Sequence, residues 1–257
     1  MEKFLTVIIR VYNREDTITR CINSVLEQTL IDEVQILIIN DCSTDNTFNV
    51  VNDIKNNNPN VRIDIVNHHK NMDRGKALNT SKKYIIGKYC QILDSDDKWT
   101  NNQHVENLKS FVGDNDYDFL CPQNPYYHVF NIYSSELFKK CPICNINYGE
   151  DHYTWWIEDH CKNRAVYQNN YYSIVGDSGD NKEGKKYTRK YGNTRLQGLY
   201  ECVMFKRKKM SEEEINDTIK LLRNDELNDV LMESFKEILE EYAFNKKWFI
   251  KNMFVDK

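Results

Sequence analysis

Three carboxylates stand within four residues of the segment QILDSDDKWT (91–100), where Asp94, Asp96 and Asp97 follow directly on an apolar run. Acids this close repel one another, so the segment needs either a positive partner or a task that uses the charge. Two chemistries fit it. In one, the acids cap backbone amides of a strand-to-loop turn, as Asp commonly does. In the other, they face a divalent cation, which takes hard oxygen ligands and offsets their charge. Mg²⁺ or Mn²⁺ in such a site would keep positions open for the oxygens of a substrate diphosphate.

Two alternative metal motifs fail on spacing. An EF-hand loop needs Gly at its sixth position and Glu at its twelfth, and counting from Asp94 these are Trp99 and Val105. Cys141 and Cys144 in CPIC have the spacing of half a zinc site, but no second pair follows at a suitable distance. Other groups able to do chemistry stand at the ends of apolar runs: Tyr12, Asn13 and Arg14 in VYNRED, and Asp41 in NDCSTD. Asp151 and Glu150 stand in YGEDHYTWW.

The elements that must position these groups are written in the hydrophobic pattern. Four β-rich runs, at 4–12, 34–40, 61–67 and 88–94, alternate with helix-like segments, which is the pattern of βαβ units around a mostly parallel sheet. Ile18, Ile22, Val25 and Leu26 recur at helical spacing, with Asp16 as a candidate cap. A second helix is expected after Ser43 or Thr44 as cap, and a third over 75–86. Later segments read as further strands and a short helix, giving a mixed second half. In an open parallel sheet ligands sit beyond the carboxyl ends of the strands. VYNRED, NDCSTD and DSDD all fall at such ends, so they converge on one rim.

The chain divides by pattern into 1–97 and 98–205, the second part carrying a polar loop at 177–195 that reads as a surface loop or lid. A helical extension follows at 210–257, opened by the capping box of Ser211 and Glu214. The net charge of −4 argues against nucleic acid as the partner, since phosphate binding needs a concentrated basic surface. No apolar stretch approaches the ~20 residues of a membrane span. The amino terminus lacks the apolar core and cleavage site of a secretory signal, and the eight cysteines read as reduced thiols. A cytoplasmic location is therefore expected.

The segments TVIIRVYNREDTITRCINSVLEQT, VQILIINDCSTDNT, NMDRGKALNTSKKYIIGKYCQILDSDD and LFKKCPICNINYGED resemble, in order and spacing, family 2 glycosyltransferases of the GT-A fold. The resemblance covers residues 4 to about 160. It implies an α/β GT-A domain that moves a sugar from a UDP-sugar donor, with Mn²⁺ or Mg²⁺, to a hydroxyl on a glycan, protein or lipid, with inversion.

By the same resemblance Asp41 contacts uracil, although Asn40 and Cys42 depart from the family's DDGS. Tyr12, Asn13 and Arg14 line the nucleotide pocket, the alternative for Tyr12 being a packed core aromatic. Arg74 or Lys76 meets phosphate charge and Asn79 the ribose or sugar. Asp94, Ser95 and Asp96 bind the donor, with Asp94, Asp96 and Asp97 as the metal ligands. Asp151 is the general base and Glu150 orients the acceptor; a helix start favouring Asp151 is the plainer alternative. Trp155 and Trp156 could stack on sugar faces. The family often reaches the metal or phosphates with a later His, and none follows His160 here; Lys185, Lys186 and Arg189 could serve the diphosphate instead, the alternative being a solvated lysine-rich loop. The extension after 210 would bind acceptor or form a homodimer. A non-catalytic nucleotide-sugar or glycan-binding protein of the same fold is the competing reading.

Overall fold

The computed structural model describes residues 2–122, 131–141, 143, 153–167, 172–173, 211–213 and 216. The first half alternates strands and helices as the pattern requires: β1 (Lys3–Val11), α1 (Ile18–Leu26), β2 (Val34–Asn40), α2 (Thr47–Asn57), β3 (Arg62–Asn67), α3 (Asp73–Ser81) and β4 (Gly87–Asp94). The rest adds β5 (Lys98–Trp99), α4 (His104–Val112), β6 (Phe119–Pro122), β7 (Ile132–Ser134), α5 (Ser135–Lys140), α6 (Tyr153–His160), β8 (Arg164–Tyr167) and β9 (Tyr172–Ser173).

Among the described residues, seven strands form one sheet in the order β3-β2-β1-β4-β7-β6-β8, and β5 pairs with β9 in a second. The first four are mutually parallel, whereas β7 runs antiparallel to β4. All seven residues of β2 are buried, as expected of a parallel strand covered on both faces. Helix α1 turns Ile18, Cys21, Ile22 and Val25 inward.

The chain forms two compact units. The first holds Met1–Met72, Ala77–Cys141 and Ile157–Gly179, and so contains the sheet; the second holds Asp73–Lys76, Pro142–Trp156 and Asp180–Lys257. The loop at 177–195 and nearly all of the 210–257 segment lie outside the described residues, except that Glu212 and Glu213 are helical directly after Ser211. No described helix is long and apolar enough to cross a membrane.

Local details depart from the sequence expectation for identifiable reasons. Asp16 does not cap α1: Thr17 occupies that place without a side-chain capping bond, and its hydroxyl donates instead to Ser95 O at 2.9 Å. Neither Ser43 nor Thr44 caps α2: the helix starts at Thr47 with Asn46 at the cap position, Ser43 Oγ donates to Asn40 Oδ1 (2.6 Å), Thr44 Oγ1 accepts from Asn13 Nδ2 (3.3 Å), and Thr44 N–H donates to Asn13 Oδ1 (2.8 Å). Asp45 Oδ1 accepts from Thr47 N–H there instead. Helix α3 stops at Ser81 rather than 86, where Gln35 takes over the backbone: its amide donates to Tyr84 O (2.9 Å) and accepts from Ile86 N–H (3.1 Å).

Candidate active site

The register fixes the rim. Val11 stands level with Asn40, Arg10 with Asp94, and Asn40 with Asn67, so β1, β2, β3 and β4 end together. Successive connections lead from β1 to β2 and β3 on one side, then back to β4 on the other side of β1. Strand order therefore reverses at β1, and the crevice beyond its carboxyl end is where open α/β sheets bind ligands.

At the β1 end, the loop 12–15 is tied to the loop after β2. Asn13 N–H donates to Ser43 Oγ (3.0 Å), Arg14 N–H to Thr47 Oγ1 (2.8 Å), and Asn46 N–H to Glu15 Oε2 (2.8 Å). Asn13 adopts φ +51°, a left-handed conformation that Asn tolerates. Arg14 is turned back onto its own loop, Nη1 donating to Asn13 O at 3.0 Å. Tyr12 is 42% exposed at this rim, so the packed-core alternative for it does not hold.

At the β2 end, Asp41 is buried. Its N–H donates to Val11 O (2.9 Å), and its Oδ1 lies 2.6 Å from His68 Nδ1 and accepts from Met72 N–H at 2.8 Å. Cys42 has φ +62°, where a side chain costs roughly 1 kcal/mol that glycine does not incur.

At the β4 end the acidic cluster meets two arginines that the sequence reading did not single out. Arg10 Nη2 donates to Asp94 Oδ1 at 2.7 Å, pairing across the register. Helix α1 binds the turn's carbonyls: Arg20 Nη2 donates to Asp96 O (2.7 Å) and Cys21 Sγ to Asp94 O (3.4 Å). The turn closes with Asp97 N–H on Asp94 O (2.9 Å), which carries Asp97 inward while Asp94 and Asp96 stay partly open. Burial pushes the Asp97 carboxyl up to about 7, reinforced by Asp94 and Asp96 and opposed by Arg20.

Asp94, Asp96 and Asp97 do not converge as a three-carboxylate set; among the described residues no group of three His, Cys, Asp or Glu is arranged to hold a metal. Ser95 is buried, with its carbonyl bonded to Thr17.

The remaining expected residues fall in α3, in α6 or outside the described residues. Arg74 and Lys76 lie in the first turn of α3, in the second compact unit. Asn79 Oδ1 accepts from Lys82 Nζ (2.6 Å), so its carboxamide oxygen is used inside the fold. Trp155 and Trp156 fall in α6. Asp151, Glu150, Lys185, Lys186 and Arg189 lie outside the described residues. Cys141 is buried, and Cys144 lies outside the described residues.

Comparison with known proteins fixes the family. The model of glycosyl transferase family 2 matches residues 6–135, just over half of the chain, and spans all three strand ends described above. The chain belongs to glycosyl transferase family 2. It is 31% identical over 147 residues to an Escherichia coli protein named UDP-Glc:alpha-D-GlcNAc-diphosphoundecaprenol beta-1,3-glucosyltransferase WfaP, covering 57% of this chain and 55% of that one. It is 37% identical over 110 residues to the chondroitin synthase of Pasteurella multocida, covering 43% of this chain and 11% of that one. The chain thus spans about half or less of these relatives.

Among solved structures, Staphylococcus aureus TarS 1-349 in complex with UDP-GlcNAc is similar at a TM-score of 0.63 and 19% identity, covering 98% of this chain and 77% of that one. A Pyrobaculum calidifontis mannosyltransferase in complex with GDP-Man and Mn²⁺ is similar at 0.62 and 14% identity, covering 100% and 89%. The fold is the GT-A fold of these glycosyltransferases.

Within this family 2 rim, Arg10, Arg20 and His68 were the residues sequence reading passed over. Arg10 did leave a signal, being a charge inside an otherwise apolar strand, and buried charges are paired. His68 and Arg20 left none, since their partners are distant in sequence.

Proposed function

We propose that the chain moves a sugar from a UDP-sugar donor to a hydroxyl acceptor, with inversion by single displacement, using Mn²⁺ or Mg²⁺. One observation carries this reading: in a family 2 chain, Asp41 and Asp94 stand at the carboxyl ends of the two strands that flank β1, at the point where strand order reverses. Asp41 is the acceptor for the uracil N–H. Asp94 and Asp96, partly open carboxylates beside the buried Asp97, suit a hard divalent ion, and the charge crowding felt by Asp97 is what such an ion would relieve. When bound, that ion would offset the charge that develops on the departing diphosphate. Arg10 holds Asp94 in place through a short ion pair. Asp151 accepts the acceptor hydroxyl's proton as that oxygen attacks the anomeric carbon, and Glu150 orients the acceptor. The solved TarS complexes with UDP and UDP-GlcNAc and the Mn²⁺ complex of the mannosyltransferase support the choice of donor and ion.

Asp151→Asn tests the assignment of the base. Sugar transfer and donor hydrolysis should fall by roughly 10²–10⁴-fold while UDP affinity stays at the wild-type value. Undiminished turnover would remove Asp151 from the mechanism. A wild type inert toward every donor and acceptor would favour the binding-protein reading.

A further inference from the structure

Asp41 is held by a chain of groups that runs away from the rim. His68 Nδ1 lies 2.6 Å from Asp41 Oδ1, and on the other side of the ring His68 Nε2 lies 2.9 Å from Thr80 Oγ1 in α3. His68 is itself fixed by its backbone N–H, which donates to Asn40 O at 2.9 Å. All of these residues belong to the sheet-containing unit. The imidazole and carboxylate side chains are 10% and 7% exposed, so water competes little for either.

A carboxylate oxygen can only accept, so His68 Nδ1 carries the hydrogen of this bond. The Thr80 hydroxyl donates to Nε2 of a neutral ring or accepts from an imidazolium; in both cases Nδ1–H stays on Asp41. Met72 N–H donates to the same Oδ1 at 2.8 Å. Two donors on one oxygen use both of its lone pairs. Oδ2 takes no hydrogen bond from the described residues.

We infer that His68, backed by Thr80, is a positioning residue that leaves Asp41 a single acceptor oxygen for the nucleobase and thereby selects uracil over guanine. This rests on the reading of Asp41 as the base acceptor. Uracil presents one ring N–H between two carbonyls, and one acceptor satisfies it. Guanine presents N1–H and the N2 amino group side by side, and a carboxylate matches them only if both oxygens are available. With Oδ1 filled, one guanine donor goes unpaired on entering the site, which is a penalty that discriminates. Cytosine is rejected for a different reason, since its N3 lone pair would face Oδ2.

The test is isothermal titration of the full chain with UDP, GDP and CDP, in the wild type and in His68→Leu, His68→Asn and Thr80→Val. The wild type should favour UDP over GDP by tenfold or more, about the value of one unmade hydrogen bond to a charged group. His68→Leu should weaken UDP by about tenfold and shrink the UDP-to-GDP ratio, because Oδ1 regains a lone pair. His68→Asn, whose amide N–H can stand where Nδ1–H stands, should restore the ratio, and Thr80→Val should lower it part of the way. A substitution that only loosened packing would weaken both nucleotides alike and leave the ratio unchanged, and that result overturns the inference. So does a wild type that binds GDP as tightly as UDP. A wild type that binds no uridine nucleotide fails earlier, at the donor assignment, and takes this inference with it. If His68→Leu does not fold, His68→Asn and Thr80→Val still measure the ratio.

Discussion

Asp97 and His104 respond to protons in opposite senses over nearly the same pH range. The Asp97 carboxyl is raised to about 7 by burial and by Asp94 and Asp96, so between about pH 4 and 7 the folded chain keeps a proton that the unfolded chain has lost. Its contribution to stability falls as pH rises through that window. His104 is buried, with Nε2 3.0 Å from Gln91 Oε1 and its ring 4.5 Å from that of Trp99, and burial lowers it to about 4. Between about pH 4 and 6.5 the unfolded chain takes up a proton that the folded chain does not, so this contribution rises with pH.

The two couplings act in opposite directions, so in the wild type they oppose each other across this range. In chelator-treated protein, Asp97→Asn should therefore gain stability as pH rises from 4 to 6.5, whereas His104→Asn should lose it. Urea midpoints across that range measure the slopes, and parallel profiles for the two variants would contradict both environments.

The strands divide their labour by end. Their carboxyl ends carry Arg10 and the acids of the rim, whereas their amino ends are locked by a largely buried polar network. There Thr6 Oγ1 donates to Gln35 Oε1 (2.7 Å), Gln35 Nε2 donates to Asp64 Oδ2 (2.7 Å), and Gly87 N–H donates to Thr6 Oγ1 (2.9 Å). Close approach of β4 to β1 depends on Gly87: a Cβ there would lie 2.5 Å from Thr6 N and 2.7 Å from Leu5 C, both main-chain atoms held in the sheet. Gly87→Ala should destabilise the fold by about 2–3 kcal/mol through overpacking. Surviving protein should still bind UDP with little change, because Gly87 and Asp94 are at opposite ends of β4. Denaturant melts set beside UDP titrations separate the two effects, and an unchanged midpoint would mean that the two strands can move apart at no cost.

For the whole molecule the proposed donor acts as a folding ligand. UDP at a hundred times its Kd, with Mn²⁺, should stabilise the chain by about 2.7 kcal/mol, or a Tm increase of about 5–10 °C at this size. EDTA should cut the shift, and a panel of UDP-sugars should single out the donor. An unmoved Tm across the panel would sink the UDP reading.

The first four strands and their order in the chain were legible as apolar β-rich runs, most plainly β1 and β2, whose Val, Ile and Leu are buried because both faces are covered, and least plainly the edge strand β3, in which only Ile63 is buried. Asp41, Asp94 and Asp96 were legible because polar residues directly after such runs fall at strand ends. Caps were less so: Ser43 and Thr44 suit a helix start, but Asn40 and Asn13 claim them first.

What the sequence determined by itself is the alternation of strands and helices, the rim, and the acids on it, since each depends on neighbours a few residues away. What only the tertiary structure decided is who neutralises those acids and who aims them. Arg10 and Asp94 are 84 residues apart and meet because β1 and β4 lie side by side in register. His68 reaches Asp41 across the ends of β3 and β2. Hydrogen bonds and ion pairs depend on distance in space, and sheet register, which sets that distance, emerges only when strands far apart in the chain have paired.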